Sequence, residues 1–176
     1  MIVSTMTESE ISAELIADIP HILKHSDQKE SKVRRKVLKA SLFPVYAHSF
    51  YVSPRKNKWI VLYESASKKA VGDLGVVTFV CYYNTSHGLY AIMLTYIQDV
   101  KRFAFYTPHF FSRYAQRMCL NCTGIDLIVH FFTYNHSFSL SFSSELKDDG
   151  TKRLEAYASN RDGLEWDLLR NTAIFI

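Results

Sequence analysis

Between Thr107 and Met118 the apolar positions keep a helical rhythm. Phe111, Tyr114, Ala115 and Met118 fall at i, i+3, i+4 and i+7, the stripe of a helix that faces a core. Thr107 can cap the free amides and Pro108 fits a first turn, so this helix is expected to begin at Pro108. Near the N-terminus, Thr7 and Glu10 have the spacing of a capping box, and Ile11, Leu15, Ile16 and Ile19 follow until Pro20 interrupts them. That pattern predicts a helix over about residues 8–19. Another is expected from Lys29 onward, with Val33, Val37, Leu38 and Leu42 on one side, before Pro44 closes the region. Thr123 and Asp126 resemble a capping box with Asp in place of Glu, opening a helix over about 124–134 that is apolar on most sides. Asp126, His130 and Tyr134 share its one polar strip, most simply as local hydrogen bonding.

From Val45 the period becomes that of strands. Val45 to Val52 is aromatic and β-branched, Ser53 to Lys58 is a polar break, and Trp59 to Tyr63 is a second run. Val76 to Tyr83 and Leu89 to Ile97 flank a hairpin loop over Asn84 to Gly88, in which His87 is expected to be exposed and inert. These four runs read as an antiparallel meander. Further on, Ser137 to Phe142 alternates Phe and Leu with Ser, Asp162-Gly163 marks a hairpin turn, and Thr172 to Ile176 reads as a closing strand. The expected class is α+β, an antiparallel sheet with a central helix pair. Residues 1–43 form its N-terminal helical segment and 44–176 the α+β domain, and whether the segment docks on that domain is left open.

Composition narrows the function classes. With 176 residues, 48% of them hydrophobic and 14% aromatic, the chain can build a substantial core. The net charge of +4 is compatible with a polyanionic partner, which many unrelated basic proteins lack. Three cysteines, Cys81, Cys119 and Cys122, argue against a disulfide framework and for a reducing compartment. No apolar stretch approaches the ~18 residues that span a bilayer, so no membrane association and a cytoplasmic location are expected. Cys119 and Cys122 form a C-x-x-C, but His130 and His136 follow without zinc spacing, so neither metal nor cofactor is expected.

Charge clusters in two places. From Lys29 to Lys39 six of eleven residues are basic, and Arg34, Arg35 and Lys36 could lie along a phosphate backbone or form a solvated face. On the helix from Pro108, His109, Arg113 and Arg117 share one face at i, i+4 and i+8. No acid stands three or four positions from either arginine, so the two repel by about 0.2–0.5 kcal/mol and want an anion. His109 lies in the first turn, where the helix dipole favours neutral imidazole and attracts phosphate. A neutral His beside two guanidinium groups suits a general base next to an oxyanion clamp. The plainer alternative is a half-exposed helix whose arginines pair with acids in the C-terminal part of the chain.

His109, Arg113 and Arg117, followed by a helix over Thr123 to Asn135, an Asp162-Gly163 turn and Thr172 in a closing strand, resemble the BrnT-type toxins and related RelE-like ribonuclease domains. The likeness covers roughly residues 103–176; the chain is about twice the length of such toxins. The resemblance implies metal-independent RNA cleavage, in which a base takes the ribose 2′-OH proton and arginines stabilise the pentavalent phosphate. On that reading His109, Arg113 and Arg117 act, helped by Tyr106 and Arg153, and an inhibitory protein partner is implied. The alternative is a non-catalytic protein that uses the same cationic face to hold a nucleic acid, a nucleotide or an acidic protein.

Overall fold

The computed structural model describes residues 1–71, 77–97, 100–135 and 173–175. Helix α1 (Glu8–Lys39) starts at the expected capping box: Glu10 N donates to Thr7 Oγ1 and Thr7 N donates to Glu10 Oε2. The break expected at Pro20 does not occur, and the two predicted N-terminal helices are one helix of 32 residues. Pro20 is exposed, so its ring and missing N–H fall on the solvent side. Leu15, Ile19 and Ile22 before and after it are buried and hold both halves to the same surface.

Strands β1 (Val45–Val52), β2 (Lys58–Ser65), β3 (Val77–Thr85), β4 (Gly88–Ile97) and β5 (Val100–Tyr106) follow, each antiparallel to the one before. Four of them match the predicted meander. In the fifth, Lys101 and Arg102 follow Val100 and hide its apolar alternation from a reading of period. Helices α2 (Pro108–Arg117) and α3 (Gly124–Tyr134) come next. The short strand β6 (Ala173–Phe175) then pairs with β5. This closing strand runs parallel to its neighbour, where an antiparallel partner was expected. A parallel neighbour needs a crossover rather than a tight hairpin, and α2 and α3 lie within the connection from β5 to β6. The fold is α+β, as the pattern of elements predicts.

Alternation along the strands sorts the core into two halves. Trp59, Val61 and Tyr63 face α1, together with Cys81, Ile92 and Phe105. Ile60 and Leu62, with Val80, Met93 and Ala104, face the other way, against Phe111 of α2 and Ile128 and Phe132 of α3. The sheet is therefore covered on both faces, by α1 on one and by α2 and α3 on the other.

A buried carboxylate fastens α1 to the sheet. Asp18 is fully buried, and its Oδ2 accepts from Asn57 Nδ2 at 2.7 Å and from Trp59 Nε1 at 3.1 Å. The turn that carries Asn57 is closed by Ser53 N donating to Asn57 O. At the β3–β4 turn, Gly88 has φ +117, and a Cβ there would come 3.1 Å from Pro108 Cβ. This turn thus sits against the first residue of α2, where only glycine fits without strain.

Candidate functional site

The expected cationic face of α2 is present in part. Thr107 caps the helix, its Oγ1 accepting from Phe110 N at 3.2 Å, and Pro108 takes the first turn. Phe111 is buried, while His109, Arg113 and Arg117 are all exposed. Arg113 Nη1 donates to Gln116 Oε1 at 3.3 Å, and among the described residues neither arginine pairs with a carboxylate. His109 likewise has no hydrogen-bond partner among them, so no described group fixes its tautomer. The arrangement is an open cationic ridge.

Tyr106 does not belong to that ridge. It is 2% exposed on β5, packed edge-on to Phe110 at 5.3 Å and Phe132 at 4.9 Å between ring centroids, and burial pushes its phenol far above the ordinary range. The role of a helper in proton transfer is corrected to one in the core beneath α2. Arg153, the other expected helper, lies outside the described residues, as do Asp162, Gly163 and Thr172.

A second cationic surface forms where the sequence reading saw two unrelated features. The C-terminal half of α1 runs back along β1: the His25 ring stacks on Tyr51 at 4.5 Å, and Lys36 Nζ donates to Tyr46 O at 2.6 Å. This brings Lys29, Lys32 and Lys36, at i, i+3 and i+7, to one wall of a groove of about 780 Å³. The opposite wall is the polar strip of α3, with Asp126, His130 and Tyr134. Tyr46, Ala47, His48 and Ser49 of β1 lie between them. The Tyr114 hydroxyl lies 3.3 Å from His130 Nδ1, and the Tyr134 ring packs edge-on to Tyr46 at 5.5 Å. Of the expected RNA-binding trio, Lys36 lines this groove, whereas Arg34 and Arg35 are exposed elsewhere on α1.

Sequence reasoning registered the basic run and the polar strip separately. The available signal was the strip itself, Asp126, His130 and Tyr134 on a helix that is apolar on most sides. Nothing local shows that it meets α1 across an edge strand.

Cys119 and Cys122 are free thiols, and among the described residues no group of three or more His, Cys, Asp or Glu side chains is placed to hold a metal ion. No described helix is long and apolar enough to cross a membrane. No family model, curated protein or solved structure matches this chain.

Proposed function

We propose that the protein is a non-catalytic binder of a polyanion, with RNA as the first candidate, through the α2 face. The observation that carries this reading is the exposure of His109, Arg113 and Arg117 on one capped helix, both guanidinium groups without a carboxylate among the described residues. Such groups gain most from phosphate, which accepts bidentate, charge-assisted hydrogen bonds. The helix start adds a partial positive charge in the same place. Binding is favoured over toxin-like cleavage because a general base needs an orienting partner and a pocket that excludes water. His109 stands on an exposed turn, and Tyr106 beneath it is committed to the core. The free thiols fit a reducing compartment, for which the cytoplasm is our proposal.

Fluorescence anisotropy with a labelled single-stranded RNA, followed by gel analysis of the same RNA with and without a chelator, tests the proposal. Expected are salt-sensitive binding, weakening on Arg113→Ala and Arg117→Ala, little effect of His109→Ala, and intact RNA. Metal-independent cleavage that His109→Ala abolishes would establish the RelE-like ribonuclease reading instead. Absence of any RNA binding at low salt would end both.

A further inference from the structure

Among the described residues the sheet ends at β1, and half of that strand's backbone points away from its neighbour. Ser53 N donates to Asn57 O at 2.9 Å, which makes Ser53 and Asn57 a bonded pair of the ladder. Counting back along the register, Tyr51 with Trp59, Ser49 with Val61 and Ala47 with Tyr63 are bonded pairs too. Tyr46, His48, Phe50 and Val52 therefore direct N–H and C=O outward. The Lys36 ammonium on Tyr46 O agrees with this assignment independently. Among the described residues no strand pairs with that outer edge.

The outer edge runs along the groove between α1 and α3. We infer that this edge receives an extended acidic segment of a partner protein, added as a strand beside β1. The surface is separate from the α2 face, and the inference does not depend on RNA binding there. The outward backbone row at His48, Phe50 and Val52, with which no described strand pairs, fixes the mode, since main-chain bonds hold an added strand and its alternate side chains select it. Charge fixes the composition. Side chains on one side of the added strand meet Lys29, Lys32 and Lys36 of α1. Those on the other side meet Tyr134, His48 and Phe50, the last 50% exposed, and Asp126 there repels a second row of acids. The favoured segment thus alternates Asp or Glu with apolar or aromatic residues. A second copy of this chain would bring another cationic edge to a cationic edge. A nucleic acid would match the lysines but offers no amide row for the outward N–H and C=O groups. Lys36 guards the edge against self-association in the free protein and moves onto an acid of the incoming strand.

The test is NMR titration of the full chain with a blocked peptide alternating Glu with Val. Saturable shifts and protection from exchange are expected at the His48 and Phe50 amides. Replacing Glu by Lys in the peptide, N-methylating its alternate amides, or introducing Lys29→Glu with Lys32→Glu should each weaken binding on the order of tenfold or more. His48→Pro removes an outward N–H that β2 does not use, so the β1–β2 ladder survives while the peptide loses a comparable factor. If that variant does not fold, the N-methylated peptide decides alone. Three results would overturn the inference: His48 and Phe50 amides already protected in the free protein, undiminished binding of the N-methylated peptide, or perturbation of the groove by single-stranded RNA and not by the peptide.

Discussion

Titratable side chains pack against the core at two points, and each makes a measurable demand. Asp18 supplies one oxygen to Asn57 Nδ2 and Trp59 Nε1, all three residues being buried. Asp18→Ala leaves Trp59 Nε1 without an acceptor and Asn57 Nδ2 with only Glu14 Oε1 at 3.4 Å, which costs about 1–3 kcal/mol for the buried indole donor. A loss of about 1–3 kcal/mol is expected from urea unfolding, with a smaller loss for Asp18→Asn, which retains an acceptor oxygen. An unchanged midpoint for Asp18→Ala would show that water takes over the Trp59 donor. At His25, burial and then the charge of Lys29 hold the pKa below its ordinary 6.5. The folded state therefore binds a proton less readily than the unfolded chain. The stability associated with His25 is complete above 6.5 and is lost as pH falls from there through the lower folded value. Glu10 and Glu14, lowered from 4.5 by Thr7 and by the N-terminal ammonium respectively, lose theirs only in a more acidic window. Unfolding midpoints measured from about pH 8 to about pH 5 should decline for the native chain and flatten for His25→Gln.

At the scale of elements, local chemistry was the readable part. Thr107 before Pro108 marks α2 correctly, and its hydroxyl makes the cap bond to Phe110 N. Thr123 marks the start of α3 equally well, yet makes no side-chain cap bond. Thr107→Ala should therefore lower stability by about 1 kcal/mol, and Thr123→Ala should leave it nearly unchanged. Equal losses would mean that the two hydroxyls do the same work in solution. Boundaries failed where tertiary contacts outweigh local preference. Pro20 reads as a stop, but burial of Leu15, Ile19 and Ile22 keeps α1 continuous across it. Likewise, Lys101 and Arg102 conceal β5, whose place is set by its pairing with β4. The meander from β1 to β4 was legible because alternation and turn residues agree along the whole stretch, with the Ser53 to Asn57 turn between its first two strands.

The whole molecule adds juxtaposition, which is why the two cationic surfaces differ in how well the sequence reveals them. His109, Arg113 and Arg117 share one helix, so their spacing alone puts them on one face, and the structure leaves that face exposed. The groove instead joins Lys29, Lys32 and Lys36 to Asp126, His130 and Tyr134. These residues meet only because α1 covers one face of the sheet, α3 covers the other, and β1 is the edge between them. If each surface serves its own ligand, their effects separate. Removing one phosphate-contacting arginine should reduce the slope of log affinity for single-stranded RNA against log salt by about 0.7, so Arg113→Ala with Arg117→Ala should lower it by about 1.4. Lys29→Glu with Lys32→Glu should leave that slope intact while weakening the acidic peptide. Anisotropy titrations of both variants at several salt concentrations measure this directly. A slope that falls equally in both variants would show one continuous cationic surface wrapped around the molecule, with RNA lying across the groove as well as α2.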